Sequence, residues 1–164
     1  MSVSSGGRVC KKCVLGGTFS LLHSGHRHFL FNAWRRCRNL VIGVTSDEFA
    51  RRLGKSHPIE PYEVRALSVL SYLLSLGNGL YEVVPIDDPY GPAVEREDID
   101  CIFVSEETFP GAVTINIIRR LHGLPPLKIC VIDIKSIQGR RISSTLLWSR
   151  VSSLGKLRGE ISKD

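Results

Sequence analysis

With 164 residues, 43% of them hydrophobic and 23% charged, the chain can bury one core, and its balance argues against wholesale disorder. The net charge of +6, from 22 basic and 16 acidic residues, favours anionic partners without separating a nucleotide from a nucleic acid. No apolar run approaches the roughly 20 residues that span a bilayer, residues 1–8 lack the apolar core of a signal peptide, and no RNP-like strand, zinc finger or long basic block occurs. The expectation is a cytoplasmic protein with no membrane or nucleic-acid partner. It is read as one domain over residues 1–164, with a flexible lead-in at 1–8 and a loose tail at 152–164.

Cys13-Val14-Leu15 reads as the end of a buried strand, and Gly16 and Gly17 after it let a ligand approach the main chain closely. His23 and His26 stand where an amphipathic helix begins. At that spacing both imidazoles can lie on one face of its first turn, whose unpaired N–H groups and positive dipole end suit phosphate. The pair could also hold a metal, but no third ligand lies near it in sequence. The stretch is neither G-x-G-x-x-G nor a Walker loop. Gly25 to Cys37 is predicted as the helix, with Phe29, Leu30, Ala33, Trp34 and Cys37 on one stripe.

Leu40 to Val44 is a continuous apolar run, as a central parallel strand requires. Thr45-Ser46-Asp47 supplies capping for a short helix from Glu48 to Leu53, followed by a polar loop, Gly54-Lys55-Ser56-His57-Pro58. Pro61 to Leu76 is the next predicted helix, with Leu67, Leu70 and Leu74 as its buried stripe. Leu80 to Val84 is a third strand ended by Pro85, and Ile86 to Pro92 is a turn-dense loop. Cys101 to Val104 is a fourth strand, with Ser105-Glu106-Glu107-Thr108 at its carboxyl end. Ala112 to His122 is a helix with Val113, Ile117, Ile118 and Leu121 inward, and Leu127 to Ile132 is the fifth strand.

Ile142-Ser143-Ser144-Thr145 then caps a last helix running towards Val151. Its hydroxyls and helix-start N–H groups, with Arg140 and Arg141 upstream, suit a second phosphate, although capping alone also explains a serine pair. The alternation predicts an α/β fold, a doubly wound five-stranded parallel sheet. Ligands of such sheets bind beyond the carboxyl ends of the strands near the topological switch. The loops at 16–26, 45–55, 105–108 and 140–145 converge there.

Cysteines stand at 10, 13, 37, 101 and 130. Cys10-Lys11-Lys12-Cys13 has the C-x-x-C form, but no second half for zinc follows it and it precedes a strand. Structural thiols are the favoured reading for all five, and whether Cys10 and Cys13 pair as a disulfide stays open.

Gly17-Thr18-Phe19 followed by His23-Ser24-Gly25-His26 resembles the G-T-F-D-x-L-H-x-G-H signature of the HxGH nucleotidyltransferase superfamily. Ile142 to Thr145 is similar to its I-S-S-T motif at the same place in the chain. The segments Lys55 to Arg65, Pro85 to Pro92, Ser105 to Phe109 and Ile115 to Arg120 resemble the archaeal and eukaryotic type of the phosphopantetheine adenylyltransferase family. The matches run in order from about Val14 to Thr145.

The resemblance implies a Rossmann-like nucleotidyltransferase fold. It also implies transfer of AMP from ATP to 4'-phosphopantetheine, giving dephospho-coenzyme A and pyrophosphate in coenzyme A biosynthesis, with Mg2+ carried by ATP. By the same resemblance, Gly16, Gly17, Thr18 and Phe19 line the nucleotide cradle, with Thr18 at the junction of the two substrates. His26, assisted by His23, contacts the α-phosphate oxygens, and Lys55 holds the acceptor phosphate. Ser143, Ser144 and Thr145 take the β- and γ-phosphates. Asn116 with Arg119 or Arg120 completes the nucleotide side, at least one of those arginines lying on a solvated helix face. No metal ligand from the protein is implied.

Two departures stand out. Ser20 replaces the aspartate after G-T-F, removing a charge at the cradle's rim. Leu146-Leu147-Trp148 replaces the family's R-I-R, leaving Arg140, Arg141 or Arg150 to meet the polyphosphate. Two other readings remain: a nucleotidyltransferase with another phosphorylated acceptor, and a nucleotide-binding protein without turnover. Lys55 and the loop at 85–92 favour phosphopantetheine over other acceptors. Oligomeric state stays open.

Overall fold

Five short apolar runs form strands: β1 (Cys13–Gly17), β2 (Asn39–Thr45), β3 (Leu80–Ile86), β4 (Cys101–Val104) and β5 (Lys128–Val131). In the computed structural model, which describes residues 10–54 and 57–134, they make one all-parallel sheet in the order β3-β2-β1-β4-β5. Lys55, Arg140, Arg141, Ser143, Ser144, Thr145 and Arg150 lie outside the described residues, as do the lead-in at 1–8 and the tail at 152–164. Four helices connect and cover the strands: α1 (Ser24–Arg36), α2 (Asp47–Arg52), α3 (Tyr62–Leu76) and α4 (Phe109–Leu121).

Successive residues of a strand face opposite sides of the sheet, so a strand covered on both faces must be apolar throughout. Leu15, Leu40, Ile42 and Phe103 pack with Leu30 and Ala33 of α1 and Val69 and Leu73 of α3. Val14, Val41, Ile102 and Val104 form the opposite core with Ile99, Leu127 and Ala112 and Ile115 of α4. β1 is central. It pairs with β2 from Cys13↔Leu40 to Gly17↔Val44, and with β4 at Cys13↔Cys101 and Val14↔Ile102. The chain runs outward from β1 through β2 to β3 and then returns to the other side of β1 as β4. The topological switch, and the crevice it opens, therefore lies at the carboxyl end of β1.

Several predicted details are corrected. The buried face of α3 is Arg65, Val69 and Leu73, whereas Leu67 and Leu74 are 63% and 60% exposed and Leu70 is half-buried. Leucines occur around the whole helix, so apolarity alone does not fix its rotation; the side-chain bonds of Arg65 described below do. In α4 the inward face is Ala112, Ile115 and Arg119, while Val113, Ile117 and Leu121 are exposed. Asn116 fixes that rotation, since its amide donates to Leu127 O at 2.9 Å and accepts from Leu127 N at 2.7 Å. α4 also starts three residues earlier than predicted, with Pro110 in its first turn, where a missing N–H costs nothing. β3 continues through Pro85, which an edge strand tolerates because one side of it carries no ladder. A 3₁₀ turn, Gly91–Val94, forms at the end of the loop after it. No helix among the described residues is long and apolar enough to cross a membrane.

Candidate active site

The cradle begins where β1 ends. Thr18 follows Gly17, and Phe19 and Leu21 then take left-handed backbone conformations with φ of 55° and 45°. Side chains with a Cβ resist that region at roughly 1–2 kcal/mol per residue, so the turn needs outside support. Phe19 is buried, and its ring lies so close that a Cβ on Gly17 would stand 3.1 Å from it. Glycine at 17 is thus what lets the phenyl ring fold beneath the loop.

Arg65 supplies the main support. Its side chain is fully buried, and four N–H···O bonds reach four separate points. Nε donates to Glu60 O at 2.7 Å, Nη1 to Thr18 O and to Thr45 Oγ1, both at 3.0 Å, and Nη2 to Asp47 Oδ1 at 2.9 Å. One guanidinium therefore ties the loops after β1 and β2 to the segment entering α3. Glu60 closes the turn from the same segment. Its carboxylate accepts from Ser20 Oγ at 2.8 Å and from the Leu21 N–H at 2.9 and 3.1 Å. The charge that serine removes from the rim is thereby returned by Glu60, forty positions along the chain.

His23 and His26 are arranged differently from the expectation. His23 is the N-cap of α1 and precedes its first turn. Its Nδ1 accepts from Gly25 N at 3.0 Å and His26 N at 3.4 Å, so the helix-start N–H groups predicted as open to phosphate are partly taken. In return His26 Nδ1 accepts from His23 N at 3.3 Å. The result is a capping box built from two imidazoles, stacked at 3.7 Å between centroids and 20° between planes. Because each Nδ1 accepts, the neutral rings carry their proton on Nε2. Burial, then the nearby Arg27, holds the His23 pKa below the ordinary histidine value. His26 also packs against Phe19, at 5.4 Å between ring centroids.

Gly16, Gly17, Thr18, Phe19, His23 and His26 thus form one continuous edge at the carboxyl end of β1. Asn116 and Arg119 do something else. The Asn116 amide is spent on Leu127. Arg119 is buried, donating to Pro125 O at 2.8 Å, Ala93 O at 2.7 Å and Arg96 O at 2.9 Å. Arg120 is exposed. Ser105 and Thr108, after β4, bond to one another in a local turn. A groove of about 500 Å³ is lined by Asp47, Ala50, Arg51, His57, Pro58, Ile59 and Pro61.

The sequence reading missed the roles of Arg65 and Glu60. Arg65 lies in a helix whose other residues are largely apolar, and an arginine recurring among inward-facing positions is a signal for a buried clamp. Glu60 carries no comparable local signal, because its partners are remote in sequence.

A family pattern described as cytidylyltransferase-like matches residues 14–150. A phosphopantetheine adenylyltransferase from Methanopyrus kandleri is 41% identical over 153 residues, covering 92% of this chain and 90% of that protein. One from Methanothermobacter thermautotrophicus is 45% identical over 133 residues, covering 80% and 79%. Among solved structures, a protein of unknown function from Archaeoglobus fulgidus aligns with a TM-score of 0.65 and 34% identity, over 80% of this chain and 95% of that one.

Proposed function

The chain belongs to the cytidylyltransferase-like family and within it to the phosphopantetheine adenylyltransferases, and from that premise we propose how it moves AMP from ATP to 4'-phosphopantetheine, releasing pyrophosphate and forming dephospho-coenzyme A. The acceptor phosphate is ionised at neutral pH and is itself the nucleophile, so neither a general base nor a covalent enzyme intermediate is required. One of its oxygens attacks the α-phosphorus as the bond to the pyrophosphate oxygen on the opposite side breaks. The protein's work is alignment and stabilisation of the charge growing on the α-phosphate oxygens.

The observation that carries this reading is the reciprocal histidine cap at the switch point. It fixes both rings by their Nδ1 atoms and puts both protons on Nε2. His26, assisted by His23, then serves as a preorganised donor to the α-phosphate, and depression of the His23 pKa keeps that ring neutral and correctly protonated at pH 7. Gly16, Gly17, Thr18 and Phe19 bring main chain against the nucleotide, with Thr18 where the two substrates meet. Arg65 and Glu60 hold that turn in place and so act as positioning residues.

Lys55 is assigned the acceptor phosphate, and Ser143, Ser144 and Thr145 the β- and γ-phosphates. Of the three α4 residues expected on the nucleotide side, Arg120 keeps that assignment; the bonds of Asn116 and Arg119 support a framework role. Mg2+ would enter on the ATP phosphates and neutralise their charge. The chemistry of the cradle fits that arrangement, because its carboxylate, Glu60, is engaged by Ser20 and Leu21.

The test is pyrophosphate release from ATP and Mg2+ with phosphopantetheine, nicotinamide mononucleotide or glycerol 3-phosphate as acceptor. Release with phosphopantetheine alone is expected. Faster release with another acceptor would overturn the substrate, and ATP binding without release from any would overturn the reaction.

A further inference from the structure

At the end of the sheet opposite the cradle, cysteines from separate parts of the chain meet. The Sγ atoms of Cys10, Cys13 and Cys101 all lie within 4.8 Å of one another. Cys101 is also 3.4 Å, Sγ to Sγ, from Cys130. Cys101 is thus both a member of the group of three and the neighbour of the fourth thiol. In a tetrahedral zinc–thiolate site, bonds of about 2.3 Å set the sulfurs about 3.8 Å apart. The three sulfurs of Cys10, Cys13 and Cys101 therefore exceed that spacing by about 1 Å at most, while Cys130 stands outside their mutual group.

We propose that Cys10, Cys13 and Cys101 form a structural site for a thiophilic divalent cation of the zinc type, with Cys130, 3.4 Å from Cys101, beside it. The C-x-x-C turn supplies two ligands, and a third, absent from the local sequence, comes from the first residue of β4, with the third residue of β5 next to it. Strand register builds the convergence: Cys13 pairs with Cys101, and Cys101 pairs with Lys128, two residues before Cys130. Period two then returns Cys130 to the face that holds Cys13 and Cys101, the same core against which Cys10 packs.

Asp100 holds the parts together. Its carboxylate accepts from the Lys11 and Lys12 N–H groups at 3.0 and 3.1 Å, clamping the C-x-x-C turn beside Cys101. Its own N–H donates to Lys12 O, and its carbonyl accepts from Lys128 N, both at 3.0 Å. Support of this kind around the ligands is what a preorganised metal site needs.

The fifth cysteine is excluded on its bonds. Cys37 Sγ donates to Asn39 O at 3.3 Å and to Lys11 O at 3.7 Å, which accounts for a neutral thiol. Entry is provided by Cys10, which is half-buried and opens on a cleft of about 900 Å³ shared with Lys11, Arg38 and Asp100. Packing of cysteine as a small apolar residue, the expectation from sequence, requires no such convergence. This inference is independent of the nucleotidyl transfer.

The test uses the full chain, purified without chelator, and reads its metal content. About one zinc per chain is expected, with three thiolates and one further donor, water or Cys130, completing the tetrahedron. After removal of zinc, Co2+ should give the thiolate charge-transfer and visible bands of a tetrahedral sulfur site. Cys10→Ser, at the least buried corner, should weaken Co2+ binding more than about 100-fold, beyond the effect of altering a neighbour of a ligand. Cys101→Ser should do the same, and Cys37→Ala should keep the spectrum. Failure of the metal-free chain to bind Co2+ would overturn the proposal. So would an unchanged spectrum in Cys10→Ser, or a mass two hydrogens lighter that shows a disulfide within the cluster.

Discussion

Replacing Arg65 with methionine keeps most of the stem's volume and deletes all four donated bonds. Three of the acceptors, Thr18 O, Glu60 O and Thr45 Oγ1, lose their partner where water has poor access, at about 1–3 kcal/mol for each buried acceptor left unpaired. The fourth, the Asp47 carboxylate, is 50% exposed and recovers water, so its ion pair adds little. These losses share one side chain and do not sum. Three acceptors left unpaired together, taken as less than additive, set the expected destabilisation at about 3–5 kcal/mol. For a chain of this size that corresponds to a fall of roughly 6–20 °C in thermal midpoint. Urea unfolding followed by tryptophan fluorescence measures it directly. Arg65→Lys should fall between the two, because an ammonium cannot span acceptors that a guanidinium fork reaches together. At temperatures where the methionine variant remains folded, kcat should still fall, since the left-handed turn at Phe19 and Leu21 has lost its anchor. A stability loss below about 0.5 kcal/mol, the range of ordinary surface substitutions, would refute the clamp.

His26→Ala should lower kcat by about 10²–10³-fold with ATP affinity nearly intact, the signature of a lost transition-state donor. It should also lose about 1 kcal/mol of stability, because half of the capping box goes with it; early melting with normal turnover would leave His26 a packing residue. The depressed His23 pKa makes stability full above the unfolded value of about 6.5 and declining as pH falls below it, since the unfolded chain takes up a proton that the folded cap refuses. His23→Asn keeps a capping acceptor and should flatten that decline; a gain in wild-type stability on acidification through that range would contradict the sign. Lys55→Ala should raise the KM for phosphopantetheine by more than that for ATP, with about 1.5–3 kcal/mol lost on the acceptor side. Equal effects on both substrates would remove that assignment. Joint replacement of Ser143 and Ser144 by alanine should weaken ATP more than AMP; equal weakening would make them helix caps alone.

Strand positions were legible because a sheet covered on both faces demands unbroken apolar runs, and Leu40 to Val44 can hardly be read otherwise. The cradle was legible only in part. The two glycines and the histidine pair are local chemistry within residues 16–26, whereas the left-handed turn at Phe19 and Leu21 rests on Arg65 and Glu60 and was not legible. Helix rotation was not legible. In α3 and α4 apolar residues surround the axis, and the buried face is chosen by polar bonds from Arg65, Asn116 and Arg119 to partners elsewhere in the chain. The same limit concealed the thiol cluster, whose two halves meet only through strand register. His23 shows a subtler failure: spacing placed it on the helix, while its side chain's competition for the helix N–H groups placed it one residue before.

The central position of β1 has a consequence for synthesis. Emerging first, it can pair at once with β2, but the strand that closes its other edge is β4, made only after α1, α2, α3 and β3. Until Cys101–Val104 leaves the ribosome, a half-sheet of three strands stands with one hydrogen-bonding edge of β1 open and Val14 and Val41 lacking the cover of α4. Its other edge, β3, is blunted by Pro85. The nascent chain is therefore most open to pairing with a neighbour along β1, and fragments ending before β4 should associate through that strand rather than through β3.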